Sequence, residues 1–124
     1  MTKRVVDRQY PLVAYAKIGA GNQGAGNGLE ISVPSGAVVL RVAVQTAVAF
    51  NGTTPTLTVG DGTTVFANAV DVSSVGAETV TNAPKVYPTG GVIAVAVGGT
   101  GATAGEAHVV VEYVRANRGQ EIQE

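Results

Sequence analysis

The sequence predicts an all-β fold, an antiparallel sandwich or barrel of about eight strands. Valine and alanine dominate the apolar residues of this 124-residue chain, and β-branched valine fits a pleated sheet better than a helix. The 17 glycines disfavour long helices. Apolar residues alternate with period two in several segments, and no segment shows a convincing helical period.

The first candidate strands lie in the N-terminal half of the chain. Segments 12–18 and 29–33 are short candidate strands, with Glu30 and Ser32 pointing outward in the second. The strongest pattern lies in 38–50, and it predicts a bulky core face on one long strand or on two joined by a bend. That predicted face consists of Val38, Leu40, Val42, Val44, Thr46, Val48 and Phe50.

Shorter candidate strands follow, and two clear ones end the series. The short segments are 56–59, 64–67 and 85–87, with 69–72 as a further candidate. In 91–97, Ile93, Val95 and Val97 share one face, and 106–116 alternates in the same way. Turn residues such as Asn51-Gly52 and the run 60–62 separate these segments. One domain over 11–116 is therefore expected, with an N-terminal arm 1–10, a C-terminal tail 117–124 and a flexible Gly-rich loop 19–28.

Charge and composition exclude several classes of protein. The net charge of −1 argues against a nucleic-acid partner, and the absence of cysteine excludes disulfides and thiolate metal sites. No apolar run is long enough for a membrane span, and charges near Met1 do not fit a signal peptide. We therefore expect a soluble protein made in the cytoplasm, with no membrane partner.

Catalytic and metal-binding motifs are weak. The single histidine, His108, shares its strand face with Glu106 and Glu112, but no nucleophile elbow is present, so an exposed or interface histidine is favoured over a catalytic one. Asp61 between two glycines provides too few oxygens for calcium and is interpreted as a structural turn. The Gly-rich loop lacks the residues of a phosphate-binding motif. We expect no enzyme activity, no cofactor and no metal.

The second faces of the strands are unusual for a soluble protein. They carry alanine and valine where a solvated sheet face normally carries charge, and only 14% of the chain is charged. The residues concerned are Val39, Ala43, Ala47, Ala49, Val92, Ala94, Ala96, Val110 and Val114. Two interpretations stay open: the domain covers these faces itself, or other subunits do.

Four runs of sequence carry a family resemblance. They are LEISVPSGAVV at 29–39, VGDG at 59–62, YPTGGVI at 87–93 and AGEAHVVVEY at 104–113. In their order and turn motifs they resemble the small decoration proteins of tailed bacteriophage capsids, also called cement or head-stabilising proteins. The resemblance covers residues 29–115. It implies a β-sandwich of jelly-roll type, no catalytic residues, and attachment to the outside of an icosahedral shell as a trimer or dimer.

We therefore expect a structural virion protein on the capsid exterior. Its partners would be the major capsid protein and further copies of itself, with a trimer favoured over a dimer. The expected capsid or subunit contacts are Lys3, Arg4, Arg8, Ala43, Ala47, Ala94, Ala96, Arg115 and Arg118. The alternative is a carbohydrate- or receptor-binding module of a phage fibre or spike, which would use the Gly-rich and Asn51-Gly52 loops.

Overall fold

The computed structural model describes residues 10–24, 26–80 and 84–115, which form nine strands and one short 3₁₀ turn. The strands are β1 (Leu12–Gly19), β2 (Leu29–Val33), β3 (Ala37–Val48), β4 (Thr53–Gly60), β5 (Val65–Asp71), β6 (Gly76–Val80), β7 (Lys85–Tyr87), β8 (Gly91–Thr100) and β9 (Glu106–Arg115). The 3₁₀ turn is Ala20–Asn22. No helix within the described ranges is long and apolar enough to cross a membrane.

The strands form two antiparallel sheets. Sheet 1 has the order β1-β9-β3-β6, and β7 pairs with β3 alongside β6; sheet 2 has the order β2-β8-β4-β5. Strand β7 pairs with the beginning of β3 at Ala37–Val39, and β6 pairs with its later part at Val42–Thr46. Together, β6 and β7 therefore act as one interrupted strand.

Counted that way, the eight strands pair as a jelly roll. Strand β1 pairs with β9, β2 with β8, β3 with the interrupted strand β6–β7, and β4 with β5. Successive pairs alternate between the two sheets, as a long hairpin does when it is rolled up. The predicted all-β sandwich of jelly-roll type is confirmed. The sequence did not predict β6, and segments 64–67 and 69–72 form one strand, β5.

The core lies between the sheets, and half of its buried hydrophobic residues are valine. Ile93, Val95 and Val97 of β8 are buried, as are Ala107, Val109 and Val111 of β9, so the predicted inward phase of these strands is confirmed. Phe66, Leu57 and Ile18 are the largest of the fully buried side chains. Small β-branched side chains on facing strands let the two sheets approach closely.

The predicted phase of β3 is partly wrong because the strand contains two bulges. Its register with β9 shifts between Val39 and Arg41 and again between Thr46 and Val48. A bulge places an extra residue opposite one partner, so the alternation changes phase there. Val39, predicted to point outward, is fully buried, whereas Leu40 and Val48 are 40% and 46% exposed. Between the bulges, Val42, Val44 and Thr46 are buried as predicted.

The connections fall at two ends of the sandwich. One end, here called the loop end, carries the segments 20–28, 49–52, 72–75 and 101–105. The other, the terminal end, carries the segments 34–36, 61–64 and 88–90. Both described termini also lie at the terminal end, because Leu12 pairs with Tyr113 on the adjacent strand.

Hydrogen bonds attach the Gly-rich loop to sheet 2. The Gln23 side-chain amide donates to the Gly98 carbonyl at 3.1 Å and accepts from the Ala102 amide at 2.8 Å. Gly28 runs so close to β8 that a Cβ there would lie 2.3 Å from the Val95 carbonyl oxygen. These contacts place 20–24 and 26–28 against β8; the flexibility predicted for the loop stays a prediction.

Candidate protein-contact site

The outer face of sheet 1 combines exposed apolar side chains with two ion pairs. Val13 and Tyr15 on β1 are 61% and 62% exposed, and Val86 on β7 is 55% exposed. In the sheet register, Val13 lies beside Glu112 and Tyr15 beside Val110. The face is therefore apolar in patches and far from a fully solvated surface.

Each ion pair of this face joins β9 to a neighbouring strand. Lys17 Nζ lies 2.8 Å from Glu106 Oε1, and Arg41 Nη2 lies 3.3 Å from Glu112 Oε2. The hydrogen bond from Lys17 holds the pKa of Glu106 below its ordinary value. Since each cation has its own carboxylate, these four charges leave the face neutral.

His108 lies in the middle of the same face. Its ring stacks on Tyr15 with centroids 5.7 Å apart and planes 12° apart, and its Nε2 is 3.9 Å from Glu106 Oε1. Its neighbours across the strands are Lys17 and Gln45, neither of which forms a nucleophile–base pair with it. The arrangement therefore provides a stacking and polar contact surface.

The outer face of sheet 2 carries smaller side chains and a different charge. Its central strand β8 presents Val92, Ala94, Ala96 and Gly98, and β4 beside it presents Thr56, Thr58 and Gly60. Glu30 on the edge strand β2 lies beside Ala94, and Asp71 on the opposite edge strand β5 lies beside Thr56. Small side chains allow another protein surface to approach the backbone closely.

At the terminal end, a buried carboxylate links the two sheets. Asp61, in the β4–β5 turn of sheet 2, has a side chain only 7% exposed and forms an ion pair with Lys85 of β7 in sheet 1. The Tyr87 hydroxyl also donates to Asp61 Oδ2, at 2.8 Å. We call Asp61, Lys85 and Tyr87 the clasp.

Backbone groups complete the clasp and explain its ionisation. The amides of Thr63 and Thr64 donate to Asp61 Oδ1 at 2.9 and 2.6 Å. Burial alone would raise the pKa of Asp61, but the donors around it, first of all Lys85, hold it well below its usual range. Burial and the neighbouring carboxylate raise the pKa of the Tyr87 hydroxyl. The interpretation of 60–62 as a structural turn is confirmed, since protein donors occupy both carboxylate oxygens. The sequence did not predict the clasp.

The structure separates the predicted contact residues. Ala43 and Ala47 lie on β3 of sheet 1, whereas Ala94 and Ala96 lie on β8 of sheet 2, on the opposite side of the sandwich. Arg115 ends β9 at the terminal end. Lys3, Arg4, Arg8 and Arg118 lie outside the described residues. The four alanines therefore belong to two surfaces, which the period-two pattern alone does not distinguish.

The loop end does not favour the alternative of a glycan-binding module. Asn51 is used internally: its side chain accepts from the amides of Thr103 and Ala104 at 2.7 and 3.0 Å. The aromatic residue of these loops, Phe50, is buried beneath Gly105. Sugar-binding sites commonly use an exposed aromatic ring, and none is offered by the described residues of this end. Across the described part of the chain, no three His, Asp or Glu side chains group as a metal site.

Comparison with known proteins shows where this fold occurs. No model of a protein family matches the chain, and no curated protein matches it. A chain of the capsid asymmetric unit of the cyanophage Pam1 superposes with a TM-score of 0.66 at 20% identity, over 90% of this chain and 92% of that one. A chain of the acid-stable capsid of Helicobacter pylori bacteriophage KHP30 gives the same TM-score and coverage at 22% identity. The likeness supports the resemblance to phage capsid proteins, and at these identities it shows that the chain shares their fold.

Proposed function

We propose that this protein is a structural virion protein that binds the outer surface of a phage capsid as a homo-oligomer and stabilises the shell. The observation that carries the proposal is the jelly roll shared over 90% of the chain with chains of two phage capsids. No catalytic step is part of the proposal.

The surfaces of the sandwich support a role in protein packing. Sheet 1 exposes Val13, Tyr15 and Val86, and sheet 2 exposes a flat face of alanine, glycine and threonine. Exposed apolar side chains and faces low in charge are typical of surfaces that bind other proteins. A rigid two-sheet body with such faces can bridge neighbouring shell subunits, and area buried on both of them opposes their separation.

Oligomerisation would strengthen the attachment. Once one copy has bound, the remaining copies of an oligomer bind as an intramolecular step at high effective concentration. We propose a trimer in preference to a dimer, with the major capsid protein as the partner. Lys3, Arg4, Arg8, Arg115 and Arg118 are proposed contacts from the two arms, whose bases lie side by side where Leu12 pairs with Tyr113.

The experiment compares purified particles with and without this chain. Electron microscopy should show extra density on the outside of complete particles, and particles lacking the chain should release DNA at a lower temperature. Adding the purified protein back should restore the higher release temperature, whereas heat-denatured protein serves as the control. Equal release temperatures with and without the chain would refute a stabilising role.

The oligomer is tested separately in the absence of particles. Light scattering should report a mass three times the chain mass of 12.4 kDa. A stable monomer at micromolar concentration would refute the oligomer, and a mass of two chains would replace the trimer with a dimer.

A further inference from the structure

The charges of the sandwich are divided between its two sheets. All basic residues within the described ranges, Lys17, Arg41, Lys85 and Arg115, belong to strands of sheet 1. The strands of sheet 2 carry two charged side chains, Glu30 and Asp71, both acidic and both exposed. Because Lys17 and Arg41 pair with glutamates, the face of sheet 1 is close to neutral, whereas the strands of sheet 2 carry only negative charge.

Glu30 is the more informative of the two carboxylates. It forms no hydrogen bond or ion pair with any described residue, and its cross-strand neighbour is Ala94, which pairs in turn with Gly60. A shallow groove lined by Gly28, Glu30, Ala94 and Ala96 runs beside it, between the Gly-rich loop and β8. A side chain of a bound protein can reach the carboxylate along this groove.

Contacts between two copies of the chain do not fit this face well. A two-fold contact of sheet 2 with itself places the edge strand β2 on β5 when the axis runs along the strands, and β2 on β2 when it runs across them. In both cases carboxylates of the two copies come to lie along the same edge. Like charges at an interface oppose binding. Contact of sheet 2 with sheet 1 of a second copy uses opposite sides of the sandwich and builds an open stack, not a closed oligomer. Moreover, the Lys17 and Arg41 side chains of sheet 1 already pair with glutamates.

We propose that the outer face of sheet 2 is the surface that docks on the capsid shell, on a patch of shell protein that presents arginine or lysine side chains opposite Glu30 and Asp71. This inference rests on the proposed function and names the side of the molecule that faces the shell. The small residues of β8 and β4 bring the two backbones close, and the two carboxylates at opposite edges set the orientation.

The size of the face agrees with attachment as an oligomer. Four strands about 4.8 Å apart and about eight residues long cover roughly 500 Å². A complex of that size buries about 1,000 Å² in total, which is typical of weak binding by a single copy. Several copies held together would bind far more tightly than one.

The test uses charge and size changes on the two sides of the sandwich. Glu30→Lys reverses one of the two charges of sheet 2, and Gln45→Lys places the same positive charge on the exposed outer face of sheet 1. Ala96→Arg and Ala77→Arg form a second matched pair on exposed alanines of the two sheets. Binding is measured by co-sedimentation with particles purified from phage that lack this chain, and circular dichroism and light scattering check that each variant keeps its fold and mass.

Glu30→Lys and Ala96→Arg should each weaken binding at least tenfold, and the two sheet 1 variants should bind within about twofold of wild type. Raising the salt concentration should weaken wild-type binding more than that of Glu30→Lys, because screening removes an attraction that the variant lacks. Wild-type binding combined with unchanged binding by Glu30→Lys refutes this inference alone. A changed oligomeric mass in Glu30→Lys refutes it too, because sheet 2 would then join copies of the chain. Failure of the wild-type protein to bind particles refutes the proposed function, and this inference with it.

Discussion

Replacing Asp61 with alanine should destabilise the protein more than any other substitution of a charged residue in the described ranges. Its carboxylate joins the sheets by accepting from Lys85 and Tyr87, both of sheet 1, while it also caps the turn of its own sheet. Alanine removes the carboxylate acceptor from all of these donors, and Lys85 keeps one hydrogen bond, to Thr64 Oγ1 at 2.9 Å. The ammonium of Lys85 would then lie partly buried with no counter-charge, which is costly in a poorly hydrated site.

The size of this destabilisation depends on how much of each hydrogen-bond donor can be rehydrated. Removing one partner of a buried ion pair costs about 3–5 kcal/mol. Lys85 keeps 26% of its side-chain area exposed and can partly rehydrate, so we expect the lower end, about 3 kcal/mol. The entropy of unfolding is about 2.1 cal/mol/K per residue, so in a chain of 124 residues that loss of stability lowers the Tm by about 12 °C.

Urea unfolding followed by circular dichroism measures the change directly. The matched control is Asp71→Ala, because Asp71 is exposed and its carboxylate accepts local hydrogen bonds, from the Ser73 amide and hydroxyl. That control should lose about 1 kcal/mol or less. All variants are compared at one protein concentration, since an oligomer's stability depends on it. A loss for Asp61→Ala no larger than that of the control would refute the idea that the clasp holds the sheets together.

Three further predictions follow from burial, strain and ionisation. Because folding lowers the pKa of Asp61, its contribution to the free energy of unfolding is complete above about pH 5 and is lost as the pH falls further. In an acid titration, the stability of Asp61→Asn should therefore decline less steeply than that of wild type, and parallel curves would contradict this. Gly105→Ala places a Cβ 2.4 Å from the buried ring of Phe50, so urea unfolding should show a larger loss of stability than for Gly101→Ala. At Gly101 φ is also positive, but no atom lies within 4 Å of an added Cβ. Equal losses of stability would assign the effect to backbone strain alone. Denaturation should show that Val42→Ala, at a buried site, loses about 2 kcal/mol of stability and that Leu40→Ala, at an exposed site, loses less than about 1 kcal/mol. A larger loss for Leu40→Ala would show that the bulge between Val39 and Arg41 is misplaced.

Local alternation predicted most of the strands but not every inward face. In β8 and β9 it identified the core residues, because each strand keeps one phase along the part that crosses the core. In β3 the alternation of 38–50 is equally regular in sequence, yet Leu40 points outward and Val39 inward. A bulge depends on how the partner strand pairs, and no pattern within one strand records that pairing.

The sequence predicted the composition of the candidate contact surfaces but not their positions on the sandwich. The excess of alanine and the shortage of charge indicated faces suited to protein contact, and both outer faces carry such residues. Their assignment to opposite sides of the sandwich needed the sheet order. The placement of every described basic residue on sheet 1, and of Glu30 without a described partner on sheet 2, follows from the same order.

By itself, the sequence determined the class of the fold, the order of nearly all the strands and the absence of a cysteine framework. Those properties depend on local quantities: side-chain shape, alternation and turn residues over a few positions. Tertiary structure alone decided the phase of β3, the joining of Asp61 to Lys85 and Tyr87, and the side of the sandwich on which each charge lies. These depend on pairs of residues distant along the chain, whose meeting is set by the rolling of the β-sheets and not by any segment on its own.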